Sequence, residues 1–291
     1  MSGLSIHSIS QSLSASHQVQ RTQSNLAHSL TQLSTGNRIN SAQDDPAGLI
    51  AQELFRSEIT AGNAALKNTR MANNMLNVAE SGMRQISNLL IEAKGLAVEA
   101  ANSGVMTPQM VEANQIQMNA ILDSIDRFSA MTNWLGKPLL DGTFSSENGG
   151  ALFQLGQEVV SSQQVTVPLE GTQTSRVGSG SNLLLELRSG GAASLATNPQ
   201  LADRILGTAI SQIAMQRGEI GAVQQYTLDT NINALQDSLV SLTAAKSIIS
   251  DADYAVAVSN TVRDQILLQA GIQTLGLIDQ NRYNTLALLN S

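Results

Sequence analysis

The sequence has no cysteine among its 291 residues. That removes disulfides, a thiol nucleophile and any Cys-type zinc or iron–sulfur site. Charge is scarce as well. Asp, Glu, Lys and Arg make up 13% of the chain, about half the share of an ordinary globular protein. Sixteen Lys and Arg stand against 23 Asp and Glu, a net charge of −7, so no basic face for displacing counterions from a nucleic acid is expected. Aromatics are 3%, so a core must come from the Leu, Ile, Val, Met and Ala of the 42% hydrophobic fraction. No stretch approaches the ~18 apolar residues of a membrane span. The opening Met1-Ser-Gly-Leu-Ser-Ile6 has neither the basic nor the apolar region of a secretory signal, and the first Arg is Arg21. The expectation is a soluble chain without a cleaved signal, built of long helices packed on one another rather than around a catalytic pocket.

The residues needed for chemistry are missing in the same way. His7, His17 and His28 all fall in the first predicted helix, with His17 and His28 ~16 Å apart along it, too far for one metal ion. There is no His-Glu-x-x-His, no P-loop and no complete Gly-x-Gly-x-x-Gly, since Leu183 stands where the third glycine after Gly178-Ser-Gly180 would be. Asp44 and Asp45 precede Pro46, which makes them helix-capping residues before they are a catalytic pair. Asp123 and Asp126, one turn apart, read as a solvated face. The nine methionines fill gaps between helices. No enzyme, cofactor or metal is expected.

What remains is a succession of helices interrupted by a β-rich centre. Residues 4–35 contain no Pro, and Val19, Leu26, Leu30 and Leu33 follow a 7-4-3 rhythm like that of a coiled-coil seam, closed by Gly36. A second helix from about 47 to 103 starts after Asp45-Pro46 and stops before Gly104, and a third from Thr107-Pro108 runs to about Met131. Residues 134–197 carry Gly-Gly and Gly-Ser-Gly punctuation, with 165–168 and 183–187 reading as hairpin strands. Asn198-Pro199 caps a helix to about Ile249, and residues 250–253 cap a last one, in which Leu268, Ile272, Leu275, Leu286 and Leu289 share one register. The fold class is therefore mainly α, a long helical bundle or coiled coil with a small β-hairpin region in the centre of the chain. Neither terminal helix can bury its apolar stripe alone, so each calls for the other and then for further copies of the chain. Interfacial membrane binding is the rival reading, but these helices lack a basic polar face and Trp anchors.

Residues 33–49, Leu-Ser-Thr-Gly-Asn-Arg-Ile-Asn-Ser-Ala-Gln-Asp-Asp-Pro-Ala-Gly-Leu, resemble the N-terminal signature of bacterial flagellins. The resemblance continues through Gly95-Leu-Ala-Val-Glu-Ala-Ala-Asn-Ser103, Ile125-Asp-Arg-Phe128 and Arg217-Gly-Glu-Ile-Gly-Ala-Val-Gln224. It ends in Ser250-Asp-Ala-Asp-Tyr-Ala255, Gln265-Ile-Leu-Leu-Gln-Ala-Gly271 and Leu286-Ala-Leu-Leu289. It implies a subunit that self-assembles into the flagellar filament, the helical propeller of swimming. Residues 1–40 and 251–291 would be inner-domain helices. Residues 41–132 and 198–250 would form a rod-like outer domain, with 133–197 its hairpin and loop region and no separate outer variable domains. Val19, Leu26, Leu30, Leu33, Leu268, Ile272, Leu275, Leu286 and Leu289 would form the inner, polymerising seam. Arg38, Asn40, Asp44 and Asp45 match the motif linking the two domains and would contact neighbouring subunits.

The resemblance also implies unfolded export through the flagellar type III channel into an extracellular filament, without a cleaved signal. The partners it implies are other copies, an export chaperone for the C-terminal helix, a filament cap and hook–filament junction proteins, with no nucleic acid, membrane or small-molecule substrate. In flagellins that activate the vertebrate innate receptor, the helix before Leu-Ala-Val carries an Arg and the next helix a Glu facing it. The matching positions here are Glu92 and Gln117. Competing readings are a hook–filament junction protein, which shares the terminal coiled coil, a flagellin bearing an enzyme in its centre, and a secreted membrane-active helical protein. Ser145-Ser146 and residues 172–175 are Ser/Thr-rich loops open to O-linked glycans.

Overall fold

On the second helix, Ala72, Leu76, Ala79, Met83, Ile86, Leu90, Ala93 and Ala97 recur in steps of three and four, and every one is buried. Such a stripe can be covered only by elements lying along the helix, and the computed structural model provides them. It describes the backbone of residues 2–102 and 104–289, and the side chains of 10–102, 104–281, 283 and 284. The helices are α1 (Ser2–Thr35), α2 (Pro46–Ala100), α3 (Pro108–Met131), α4 (Pro199–Ala222), α5 (Asp229–Ser250) and α6 (Tyr254–Leu289). A π-helical turn, Val223–Leu228, joins α4 to α5, so the helix predicted to end near Ile249 is continuous but not uniformly wound. Three small antiparallel pairs lie between α3 and α4: β1 (Asn133–Trp134) with β2 (Lys137–Pro138), β3 (Ala151–Gln154) with β4 (Gln164–Val167), and β5 (Gly178–Ser179) with β6 (Asn182–Leu183). The fold is mainly α with a small β region. Among the described residues no helix is long and apolar enough to cross a membrane.

The caps are local chemistry. Thr107 Oγ1 accepts from the Met110 amide, and Asn198 Oδ1 from the Leu201 amide, each ahead of a Pro at the first helical turn. Asp45 Oδ1 accepts from the Gly48 amide, and Asp253 Oδ1 from the Ala255 and Val256 amides. α2 ends at Ala100 rather than 103, because the Asn102 carbonyl turns to accept from the Val105 and Met106 amides.

The chain divides into two units, residues 1–59 with 240–291, and residues 60–239. In the second, α2 packs with Met118, Ile121, Leu122 and Ile125 of α3 and with Ile205, Leu206 and Ile213 of α4. The irregular segment from 139 to 195 adds Leu139, Leu140, Leu169, Leu184, Leu187 and Leu195 to this core. Residues 184–187 are a 3-10 turn and not the strand expected, because the buried pair Leu184 and Leu187 is spaced by three, and no second strand lies alongside.

Side-chain amides stand in for missing strand partners. Gln115, buried on α3, donates to the Leu187 carbonyl at 2.8 Å and accepts from the Leu195 amide at 2.8 Å. Gln212 of α4 clamps both backbone groups of Gly178, at 2.7 and 2.9 Å. Nor are Asp123 and Asp126 merely a solvated face. Arg188 binds both carboxylates, at 2.6 and 3.0 Å, and Asp126 also accepts from the Thr174 amide and hydroxyl. The same packing buries Ser145, Thr172 and Thr174, so of the Ser/Thr residues in the loops open to glycans Ser146, bonded to Glu170, and Ser175 are exposed.

Gln115→Ala should strand a buried carbonyl and a buried amide and cost about 1–3 kcal/mol. Asp123→Ala, at an exposed carboxylate, should cost under about 1 kcal/mol. Urea unfolding of the two variants checks the contrast.

Candidate functional site

The unit holding both termini is organised by one antiparallel helix pair. Gly36, at φ +71, ends α1 in the left-handed conformation that a glycine adopts without a Cβ penalty, its amide bonded to the Gln32 carbonyl. The chain then meets the start of α6. Asn37 and Asp251 form an isolated antiparallel bridge, Arg38 donates its amide to the Ser250 carbonyl at 2.7 Å, and the Ala252 amide donates to Gly36 at 2.9 Å. Arg38 Nη2 adds a bond to the Ile249 carbonyl at 2.9 Å.

From this fastening α1 and α6 run together. Their facing positions are Ala15, Val19, Thr22, Leu26, Ser29 and Leu33 on α1, and Ala257, Thr261, Asp264, Leu268, Gly271 and Leu275 on α6, all buried or half-buried. Both series alternate steps of four and three, the spacing of a coiled-coil seam. The seam itself is made largely of small and polar groups. Thr22 and Thr261 satisfy their hydroxyls within their own helices, on the Gln18 and Ala257 carbonyls. At Gly271 a Cβ would lie 2.8 Å from Val19 Cγ2, so the helices come close because that side chain is absent.

Of the residues expected in the seam, Val19, Leu26, Leu33, Leu268 and Leu275 lie on these facing positions, and Leu30 and Ile272 do not. Leu30 is 47% exposed and Ile272 57% exposed, and both point outward. Ser29 and Gly271 occupy the places assigned to them. Leu286 and Leu289 lie outside the residues whose side chains are described. Large apolar residues instead collect on the outer faces: Leu13 on α1, and Val262, Ile266, Leu267 and Leu277 on α6. A signal for the true seam was present in the sequence, had Ser, Thr, Ala and Gly been allowed to count as seam residues.

The linker residues are tied to one another and to the ends of the helices by hydrogen bonds within the chain. Asp44 Oδ2 accepts from the Asn40 and Ser41 amides at 2.9 Å each, closing a tight turn, and its other oxygen lies 3.6 Å from His28 Nδ1. Asn40 donates to the Asn37 carbonyl, and Gln32 of α1 reaches the Arg38 carbonyl. Ile39 is buried against Gly48, where no side chain would fit.

This helical pair shows large apolar residues to solvent, and the comparisons with known proteins give the family of the chain that carries it. The bacterial flagellin N-terminal helical region matches residues 6–145, and the bacterial flagellin C-terminal helical region matches residues 204–289. Over 306 aligned positions the chain is 31% identical to the flagellin of Bacillus subtilis (strain 168), spanning 97% of this chain and 99% of that one. The chain belongs to the bacterial flagellin family. It is also 30% identical to the flagellar filament 33 kDa core protein of Treponema phagedenis, over 89% of this chain and 91% of that protein. A candidate flagellar hook-associated protein of Vibrio parahaemolyticus has a similar fold, with a TM-score of 0.56 at 16% identity, covering 71% of this chain and 99% of that one.

In this flagellin Glu92 lies exposed on α2 and Gln117 exposed on α3. Two carboxylates at the α1/α6 junction titrate below the ordinary carboxylate range. Asp44 is held down first by the Asn40 amide, and Asp251 by the hydroxyls of Ser247 and Ser250. A depressed folded-state pKa means that the unfolded chain binds more protons, so this contribution is complete above the unfolded value and fades as pH falls through the folded one. The melting temperature of the flagellin should therefore drop as pH falls below about 4. Asp44→Asn with Asp251→Asn should flatten that drop, as read by circular dichroism across pH 2.5–6.

Proposed function

We propose that this flagellin builds the filament by covering the outer apolar faces of α1 and α6 with the same faces of other copies, while the small polar seam holds the two helices of one chain together. The observation that carries this is the outward placement of Ile266, Leu267, Ile272 and Leu277. Val19, Leu26, Leu33, Leu268 and Leu275 then stabilise the pair, and Leu30 and Ile272 serve contacts between copies. In this reading residues 1–40 and 251–291 are inner-domain helices, and 41–132, 133–197 and 198–250 make up the rod-like outer domain. Arg38, Asn40, Asp44 and Asp45 set the angle at which one enters the other and touch neighbouring subunits.

The role is structural and not catalytic, and its place is the extracellular flagellar filament. Terminal helices that bury little within one chain suit a subunit that passes unfolded through the type III channel and covers their outer faces only on joining the polymer. An export chaperone gripping the C-terminal helix, a filament cap and hook–filament junction proteins complete the set of partners.

The division of labour between the two helix faces is testable. Ile272→Asp should leave the melting curve of the unpolymerised subunit within about a degree of the unsubstituted chain, since an exposed surface position contributes little to its stability. It should nevertheless abolish sedimentable polymer, because assembly would bury the charge. Leu268→Asp, on the seam, should lower both. Equal polymer yield from Ile272→Asp would refute the outer-face assignment.

Glu92 and Gln117 depart from the Arg and Glu of receptor-activating flagellins, by charge reversal at the first and neutralisation at the second. Purified subunit should give weak or no response in reporter cells carrying the vertebrate innate receptor. A response comparable with that to an activating flagellin would overturn this reading.

A further inference from the structure

Val19 and Gly271 fix how α1 and α6 are paired, since a Cβ on Gly271 would lie 2.8 Å from Val19 Cγ2. Stepping by three and four along the two antiparallel helices then brings Thr22 opposite Leu268, Leu26 opposite Asp264 and Leu33 opposite Ala257. Each of these layers sets a larger side chain against a smaller one. That match in size repeats along the pair. Drawing α1 seven residues further along α6 puts Leu26 opposite Gly271, Ser29 opposite Leu268 and Leu33 opposite Asp264. These layers again pair a larger side chain with a smaller one. The facing positions the shift uncovers on α6, Ala257 and Thr261, are small. Size alone therefore admits two registers, about 10 Å apart at 1.5 Å of rise per residue.

The junction between the helices admits only one of them. Arg38 donates its amide to the Ser250 carbonyl at 2.7 Å, and the Ala252 amide donates to the Gly36 carbonyl at 2.9 Å. The Arg38 guanidinium adds a third bond, from Nη2 to the Ile249 carbonyl at 2.9 Å. A shift of one heptad carries residues 36–38 past these partners and breaks all three bonds. The linker has the length to follow: residues 36–45 lie between α1 and α2, and at roughly 3.3 Å per extended residue they reach well beyond the added distance.

We infer that the contact of residues 36–38 with 249–252 selects the register of the helix pair, and that Arg38 is a positioning residue for assembly. Its effect runs through the pairing of α1 with α6. The outer face that other copies are to cover is a composite, with Leu13 and Leu30 from α1 and Ile266, Leu267 and Ile272 from α6. In the shifted register the two halves of that face are displaced by about 10 Å. An open helical polymer repeats one contact between equivalent copies, so a chain in the shifted register presents the wrong face. The register assignment stands on the geometry of a single chain, and its consequence for assembly rests on the self-assembly reading.

The chain holds no cysteine, so two introduced ones report the register of the unpolymerised subunit. A disulfide joins only residues whose Cα atoms lie within about 7 Å of each other. Ser29→Cys with Thr261→Cys reports the observed register, and Ser29→Cys with Leu268→Cys the shifted one. In the otherwise unsubstituted chain, mild oxidation should join the first pair and leave the second unjoined, as read by peptide mass spectrometry. Arg38→Pro with Ala252→Pro removes both backbone donors and the guanidinium. In that background the first pair should still join, and the second should rise at least about tenfold in yield. The critical concentration for polymerisation should rise severalfold, by the reciprocal of the fraction left in the observed register. Oxidising the Ser29/Thr261 pair of the proline variant should return it to within about threefold of the unsubstituted value. Oxidising the Ser29/Leu268 pair should abolish sedimentable polymer. A proline variant that joins only the first pair, or neither, would overturn the register assignment. A lock on the observed register that leaves polymerisation impaired would overturn its part in assembly. Failure of the unsubstituted chain to polymerise would overturn the self-assembly reading and leave the crosslinking result standing.

Discussion

The approach of Gly271 to Val19 sets the terms for everything at the two ends of the chain. Where the helices close on a glycine they face each other with small side chains, and Thr22, Ser29, Ala257 and Thr261 alternate along the seam with Leu26, Leu33, Leu268 and Leu275. Other large apolar residues of α1 and α6 are left on the outer side. Each fully covered Leu or Ile contributes roughly 1.5–3 kcal/mol, and Ile266, Leu267, Ile272 and Leu277 hold most of that back while the chain is alone. The pair is kept in register by a backbone fastening at Gly36, Asn37 and Asp251 instead of by a thick core.

The unit from 60 to 239 solves the opposite problem. Its α2 stripe is fully covered, yet much of the cover is a segment with almost no sheet. A buried backbone without partners is costly, and three elements remove the cost. Gln115 and Gln212 bond strand-like backbone through their amides, Arg188 bridges to two carboxylates of α3, and Ser129 donates to the Leu140 carbonyl. These polar contacts make the irregular region part of the core.

Most helix boundaries could be read from Asp45-Pro46, Thr107-Pro108, Asn198-Pro199 and Gly36, because caps are local and need no tertiary information. The stripe on α2 was readable for the same reason. Leu30 and Ile272 fall outside the facing positions because hydrophobicity alone does not mark those positions, and Ser29 and Gly271 stand there instead. Residues 184–187 were mistaken for a strand because Leu-Leu-Leu-Glu-Leu fits period two and period three about equally, and only Gln115, some 70 residues away in sequence, decides between them. The roles of Asp123, Asp126 and Arg188 were likewise invisible, since nothing local announces a partner so distant.

The scarcity of charge is not spread evenly along the chain. In α1 the only Asp, Glu, Lys or Arg is Arg21, and between Tyr254 and Ile278 of α6 there are two, Arg263 and Asp264. The ion pairs gather instead on the unit from 60 to 239, at Glu80 with Arg84 and Arg217, Lys94 with Asp203, and Arg188 with its two aspartates. Moving an unpaired charge out of water costs several kcal/mol even after relaxation, so a face that is to be covered by copies of itself must be nearly free of charge. A face that stays in water has no such constraint and gains solubility from charge. The terminal helices come close to the first rule, α1 along its length and α6 as far as Ile278, although they are exposed in the lone chain. Their composition suits the burial by other copies proposed for α1 and α6, and the small-residue positions of the seam and the missing charges both fit that one requirement.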